Sequence, residues 1–520
     1  MKFRLLTVAV GFWLLTLASV SLAGPATLDP ELGEILALKV AKISQEARLS
    51  VVYVENRAEG PGVAGRGSVL NAIVQKAGGL TPSALGTEEF TPLTPSLWRQ
   101  LNPEAVVVAS KDEAALTKFL SARAYKNAPA VKNKRILAFP DGLVAVAAEY
   151  EVYFAAWLAG TLYPERFAKV DDLVRPQRII SQKPLKLTLP YVSEAAIVDS
   201  RILDFVHRTL LIRFKTPQKV LSTNDGALSD ILTVGNSYTP APLWPVAHMI
   251  GYEGTVNLLY QVLNLNQKQA AIMGTGADLN NLVVVSKTYK DLTVTILVTA
   301  GVEGNAIRAG SDVGAYFEPG TINVIILSNR ELTSGAMANA IIYATEAKTA
   351  ALWEMDVRSV QTGLLNPATG TGTDSVVVVS GAGKKITYSG GHTKFGQLLA
   401  EAVKEGVREA IFRQNGKTAK RAPQERLAER GLYYPDLEPL LANPRYQGFL
   451  ELAFALADAN RFGQVSDLSA FQNLALMVAE EVAGREVTKL ESKKTGDLTP
   501  EPLSLALRAL TTGLSLKGQP

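Results

Sequence analysis

The chain has 520 residues, 47% of them hydrophobic and 20% charged, a balance that excludes a disordered or multi-spanning chain and calls for two or three domains of ordinary size. Its 53 basic and 49 acidic residues leave a formal net charge of +4, too small and too evenly spread for a nucleic-acid surface. Cysteine is absent, which removes disulfides, thiolate metal sites, a cysteine nucleophile and a lipidated cysteine.

At the start of the chain, Lys2 and Arg4 precede an uncharged run from Leu5 to Val20, and Ser21-Leu22-Ala23 offers small residues around a cleavage point. Residues 1–23 therefore read as a signal peptide, with export as the expectation; left uncleaved, the same run is long enough to tether the chain to a membrane, its only expected membrane contact. From Asp29 to Arg48 the apolar spacing is helical, and Leu49 to Val54 reads as a strand. Gly65-Arg66-Gly67-Ser68 forms a turn before a helix through Leu70, Ile73, Val74 and Ala77, stopped by Gly78-Gly79. Ala105 to Ala109 and Ile136 to Phe139 read as buried strands. Strand and helix alternate, so residues 26–168 are expected to form an α/β domain with a parallel layer.

The polar stretch from Lys169 to Lys186, with Pro176 and Pro184, marks a boundary. Beyond it, β-branched runs predict strands at Leu210 to Phe214, Val283 to Val285, Val294 to Val298, Thr321 to Leu327, Val376 to Val379 and Ile386 to Tyr388. Helices are predicted at Ser334 to Trp353 and Lys394 to Phe412. Residues 184–414 thus read as a second mixed α/β domain, followed by a mostly helical region over 422–516, where Phe449, Leu452, Ala453 and Leu456 recur at helix spacing.

Polar residues gather beyond the strand ends of the second domain, on glycine-rich turns. Strands Ser375 to Ser380 and Lys385 to Ser389 are separated by Gly381-Ala382-Gly383-Lys384, a hairpin loop in length and type. Antiparallel pairing about that loop sets Asp374 opposite Gly391, one residue from His392. A carboxylate orienting an imidazole is what general acid–base chemistry needs, and Thr373 and Ser375 bring hydroxyls to the same corner. Backbone N–H groups of Gly370 to Gly372 or Gly390 to Gly391 are candidate oxyanion donors. His207, His248 and His392 are the only histidines; with no paired spacing among them, no metal site is expected.

Two resemblances are carried by short motifs. Gly65-Arg66-Gly67-Ser68 with Leu70-Asn71-Ala72-Ile73 and Ala77-Gly78-Gly79, then Leu101-Asn102-Pro103-Glu104 through Val108, and Asn133-Lys134-Arg135-Ile136, resemble one lobe of the periplasmic binding proteins that feed vitamin B12 and siderophore transporters. The second resemblance rests on a longer ordered series. Thr299-Ala300-Gly301-Val302-Glu303-Gly304-Asn305-Ala306, Pro319-Gly320-Thr321-Ile322-Asn323, Gly335-Ala336-Met337, Ala344-Thr345-Glu346-Ala347-Lys348-Thr349-Ala350, Gly370-Thr371-Gly372-Thr373-Asp374-Ser375 and Gly390-Gly391-His392-Thr393-Lys394 are similar to the adenosylcobinamide amidohydrolase family.

That resemblance implies a hydrolase that cleaves the amide between the corrin side chain and the aminopropanol of adenosylcobinamide, giving adenosylcobyric acid for cobalamin salvage. It implies a corrinoid small molecule as substrate and no further cofactor, while the resemblance of residues 26–168 implies a B12-type ABC transporter as partner; the alternative is a non-catalytic corrinoid-binding or delivery protein of such an uptake system. For catalysis the expectation is His392 with Asp374, and Glu303 as the next carboxylate. For the corrin's amide side chains the candidates are Asn224, Asn236, Asn305 and Asn323, with Thr373, Ser375 and Glu346. One departure stands out: the family's reaction belongs with cytoplasmic salvage, whereas this chain opens on an export signal.

Overall fold

The computed structural model describes residues 31–57, 60–109, 112–139, 151–313, 320–491 and 499–517. The signal peptide, Pro319 and the last three residues lie outside them. Two units, Pro30–Pro164 and Glu165–Pro520, each carry their own sheet.

In the first unit the elements are α1 (Leu32–Ala41), β1 (Val51–Arg57), β2 (Gly60–Ala64), α2 (Val69–Lys76), β3 (Phe90–Pro92), β4 (Ala105–Ala109), β5 (Ile136–Phe139) and α3 (Glu151–Leu162), with two-turn helices at Pro95–Leu101 and Glu113–Leu120 and shorter helical turns besides. The described strands stand in the order β3-β2-β1-β4-β5. β1, β4 and β5 are parallel, with Val52 beside Val106 and Val107 beside Leu137. β2 folds back antiparallel on β1. The unbroken valine run of β4 is buried at every position, as a parallel strand covered on both faces must be. α2 starts where Ser68 Oγ accepts the Asn71 N–H at 3.1 Å, a serine cap.

The second unit opens with four strands in a meander, β6 (Arg178–Pro184), β7 (Val192–Ile202), β8 (Phe205–Ser222) and β9 (Gly226–Tyr238). Then come α4 (Trp244–Val262), β10 (Ala270–Thr275), β11 (Val283–Tyr289), β12 (Leu292–Ala300), β13 (Ala306–Ile307), β14 (Ile322–Ser328), β15 (Glu331–Leu332), α5 (Ser334–Glu354), β16 (Gly370–Thr371), β17 (Ser375–Val379), β18 (Lys385–Ile386) and α6 (Lys394–Asn415). Among the described residues nine strands form one sheet, in the order β10-β9-β8-β17-β14-β12-β11 with β7 also on β8 and β6 on β7. β8 is long enough to take two neighbours on one side: β7 along its first half and β17 along its second.

One boundary shifts and one expectation fails here. The units divide at Pro164/Glu165, a few residues ahead of the polar stretch, whose later half supplies β6, an edge strand exposed at every position, where solvated Lys and Gln side chains suit a pairing edge. The hairpin joining Ser375–Ser380 to Lys385–Ser389 does not form. β17 is buried at all five positions and is flanked by β14 and β8, so no free edge remains for the segment that follows. That segment contributes only β18, which pairs with β15 in a separate two-stranded sheet. A valine run signals the middle of a sheet, not the arm of a hairpin.

Side-chain alternation gives the large sheet two cores. Val294, Ile296, Val298, Val324, Ile326, Val376 and Val378 pack against α5 and α6 through Ala336, Ala340, Ala344, Leu399, Val403 and Val407. Leu297, Ile325, Val377, Val234, Leu210 and Ile212 point the other way, into a cluster with Leu189, Tyr191 and Val192. Helices α7 (Pro423–Ala428), α8 (Pro444–Arg461), α9 (Ser469–Ala483) and α10 (Glu501–Leu516) build a third core through Leu450, Phe454, Phe471, Ala475, Ala506 and Leu510. An ion-pair cluster ties this helical region to the sheet domain. Asp356, in the left-handed region at φ 52°, accepts from Arg358, Arg426 and Arg430 at 2.8–3.1 Å, and Arg358 also reaches Asp458.

Candidate functional site

At one end of the large sheet, β9 and β12 finish while β14 and β17 begin. The register sets Thr299, Asn323 and Ser375 side by side across β12, β14 and β17. With a side-chain period of two, these residues and Asn236 face the same way as Val234, Leu297, Ile325 and Val377, so they form the polar lip of the second core. Asn323 Nδ2 donates to Asn236 Oδ1 and to the Gly274 carbonyl, both at 2.9 Å. Asn236 Nδ2 donates to Thr299 Oγ1 at 2.8 Å. Asn305 Nδ2 reaches the Gly320 carbonyl at 2.7 Å and Thr373 Oγ1 at 3.2 Å, and Ser375 Oγ donates to Asn224 Oδ1 at 2.8 Å.

Asp374 lies beside this row, just before β17. Its Oδ1 accepts from the Ile322 N–H at 3.0 Å and from the Thr371 hydroxyl; its Oδ2 accepts from the Thr371 N–H at 3.1 Å and from Lys348 Nζ. Four donors fill the acceptor capacity of a carboxylate. Lys348 arrives from α5, whose buried face is Ala344, Ala347, Lys348, Ala351 and Leu352. Its remaining ammonium protons have no partner among the described residues. The glycines of this turn are there for close approach: a Cβ on Gly370 would stand 2.4 Å from Asp374 Oδ2 and 2.7 Å from Lys348 Nζ, and one on Gly372 would stand 2.8 Å from Asn305 Oδ1.

Of the ten residues singled out from sequence, Asn224, Asn236, Asn305, Asn323, Thr373, Ser375 and Asp374 thus meet at one end of the sheet. His392 and Glu346 do not, and Glu303, just past β12 at that end, turns to Asn415 and Lys417 instead of the row. His392 is exposed, without a hydrogen-bond partner among the described residues, at the N-terminal end of α6. That helix spans 22 residues, about 33 Å, and its other end carries Asn415, whose Oδ1 accepts the Val302 N–H just past β12. The expected Asp374–His392 pair therefore does not exist, because the hairpin that would have made it is replaced by the β14–β17–β8 arrangement.

Glu346 is exposed, on the far side of α5 from Lys348. Glu303 is half-buried near Asn415 and Lys417; burial pushes its carboxyl up to about 6, against the pull of Lys417 and the Asn415 hydrogen bond. The expected oxyanion donors on the first glycine turn are also spent internally. The Thr371 N–H goes to Asp374, and the Gly372 N–H goes to the Asn305 carbonyl at 3.1 Å.

Sequence reasoning missed Lys348 and a second buried pair. Arg208 Nη1 donates to Asp278 Oδ2 at 2.9 Å, with Asp199 3.5 Å from Arg208 Nε. The Asp278 N–H and Asn281 Nδ2 both donate to Gln414 Oε1, at 3.1 and 2.9 Å. Burial raises the Asp278 carboxyl above its usual range in spite of Arg208. The signal for Lys348 was available: a lysine on an otherwise alanine-lined apolar helix face asks for a buried partner.

A family model described as adenosylcobinamide amidohydrolase matches residues 191–419, a span that holds all seven converging residues, Lys348, and the Arg208–Asp278 pair. An uncharacterized protein of Methanocaldococcus jannaschii is 39% identical over 226 residues, which is 40% of this chain and 87% of that protein. The adenosylcobinamide amidohydrolase of Methanosarcina mazei is 32% identical over 148 residues, 26% of this chain and 64% of that protein. Among solved structures, the molybdate periplasmic binding protein of a Haemophilus influenzae ABC transporter is similar at 21% identity and TM-score 0.23, covering 27% of this chain and 44% of its own. The periplasmic heme-binding protein HutB of Vibrio cholerae is similar at 21% identity and TM-score 0.23, covering 25% of this chain and 53% of its own. The chain thus spans about half the length of each of these two.

Proposed function

Since the chain belongs to the adenosylcobinamide amidohydrolase family, we propose that it hydrolyses the amide joining the corrin side chain to aminopropanol in adenosylcobinamide. The products are adenosylcobyric acid and 1-amino-2-propanol. The observation that carries this reading is the family match over 191–419, within which the polar lip and the Lys348–Asp374 pair lie. Amide hydrolysis needs a charge for the developing oxyanion, an activated water and a proton for the leaving amine. In this reading the Lys348 ammonium faces the scissile carbonyl oxygen, because it has donors left over after meeting Asp374. Asp374, with both oxygens already saturated, is a positioning group that holds the ammonium and the Gly370–Gly372 turn. The corrin's carboxamides are recognised by the Asn224, Asn236, Asn305 and Asn323 row with Thr373 and Ser375.

The site of action is extracytoplasmic in this proposal, resting on the sequence of residues 1–23, and a B12-type ABC transporter is the partner, resting on the resemblance carried by residues 26–168. Incubating the purified full chain with adenosylcobinamide and assaying for free 1-amino-2-propanol tests the reaction. Stoichiometric release supports it. Tight corrinoid binding with no release would overturn it and favour a delivery protein.

A further inference from the structure

Outside the family match, the first unit contains a cavity of about 380 Å³ lined by Arg48, Arg66, Gln75, Gly79, Leu80 and Thr81. Three short segments build it: Arg48 ahead of β1, Arg66 in the turn before α2, and the last turn of α2 with the loop that follows. The lining carries two guanidinium groups, a carboxamide and a hydroxyl, and no carboxylate. Neither arginine forms an ion pair among the described residues.

Both arginines are nevertheless held in place by backbone carbonyls. Arg66 Nη2 donates to Ser83 O at 2.7 Å and Pro82 O at 3.3 Å, and Arg48 Nη2 donates to Val40 O at 3.2 Å. Gln75 Nε2 donates to Thr81 Oγ1 at 3.0 Å, and that hydroxyl donates onward to Asn71 Oδ1 at 2.9 Å. The Nε of Arg48 is buried with no hydrogen-bond acceptor. A buried donor on a charged group is rarely left so, and a guanidinium fork matches the edge of a tetrahedral or planar oxyanion. The volume is of the size that holds a small organic molecule.

We propose that this cavity is a binding site for a phosphate group, free or carried on a small phosphomonoester, with Arg48 and Arg66 as its two cationic ligands. The site is independent of the amide hydrolysis proposed for the second unit. Thermal unfolding of the full chain is followed in inorganic phosphate, in glycerol phosphate and in chloride at matched ionic strength. Ligand that binds only the folded state raises the midpoint with concentration.

The expected result is a saturable rise with phosphate that chloride does not reproduce, lost in Arg48→Met and in Arg66→Met and weakened at least tenfold in Arg48→Lys. A larger rise with glycerol phosphate than with phosphate identifies the organic ester as the better occupant. Titration calorimetry of the unmodified chain with phosphate serves if the variants fail to fold. Equal shifts in phosphate and chloride, an unaltered shift in the methionine variants, or no saturable heat each overturn the proposal.

Discussion

Lys348 occupies a helix face otherwise given to Ala344, Ala347, Ala351 and Leu352, where an ammonium costs stability unless a partner meets it. That partner is Asp374, so replacing Lys348 removes a charge from the candidate site and strands a carboxylate. Lys348→Met should lower the rate of aminopropanol release about 100-fold, the scale of losing one oxyanion donor, while His392→Ala leaves it within about threefold. A hundredfold loss in His392→Ala instead would restore the histidine to the chemistry. His207 gives a different test. It is buried directly across from Ser200 on β7, and neither His207 Nε2 nor Ser200 Oγ has a partner.

Burial pushes the His207 imidazole from 6.5 down to about 3, so the unfolded chain takes up a proton that the folded chain refuses. Its contribution is intact above pH 6.5 and is lost as pH falls, by roughly 1.4 kcal/mol per pH unit down to about pH 3. Glu303, raised from 4.5 to about 6, works in the opposite direction across that narrower window. Urea unfolding of His207→Leu against the parent chain, at a series of pH values, should therefore show a difference that widens below pH 6.5. The sequence offered His207 only as one histidine among three; that it is buried near the start of β8, paired with Ser200 of β7, is a matter of tertiary packing that no local pattern carries. The asparagines, by contrast, were legible as polar residues beside apolar runs and glycine turns: Asn305 follows β12 and Asn323 opens β14, at the same end of one sheet.

At the scale of elements, the strands recovered from sequence are those with a continuous apolar run. β4 and β5 fall where the pattern puts them, and β12, β14 and β17 differ only at their ends. β6, β7, β9 and β10 escaped notice because polar and small residues such as Ser200, Thr233 and Gly274 interrupt their periodicity. Helix α4 was missed for a similar reason, since Gly251, at φ 76°, breaks its geometry. Two glycine substitutions separate the turn of the candidate site from ordinary helix. Gly370→Ala drives a methyl into Lys348 Nζ and Asp374 Oδ2 and should cost about 2 kcal/mol or more, as overpacking against a fixed pair does. Gly448, exposed in the second turn of α8 with nothing near its missing Cβ, should gain about 0.5–1 kcal/mol when changed to Ala. Chemical denaturation of both variants measures the contrast, and similar signs at the two positions would contradict the close-packed turn.

For the whole molecule, the division into two α/β units followed by a helical region was readable from composition and periodicity, but the link between the sheet domain and that region was not. It depends on Asp356 collecting Arg358, Arg426 and Arg430, residues up to 74 positions apart in the chain. Burial opposes ionisation of Asp356, yet these three cations hold its carboxyl below the usual range. Asp356→Asn should destabilise the second unit by about 3 kcal/mol or more, because it leaves buried guanidinium groups uncompensated; Asp458→Asn, at a more exposed carboxylate, should cost less. The shared flank of β8 carries a further consequence, in the order of events during folding. Its contacts with β7 and β9 close over short loops, but Ser222 meets Val377 only after about 155 intervening residues have been made and gathered. Pulse-labelled amide exchange during refolding should find β7 through β9 protected before β17, with the meander waiting as a half-finished template whose exposed flank is vulnerable to misassociation until the late strand arrives.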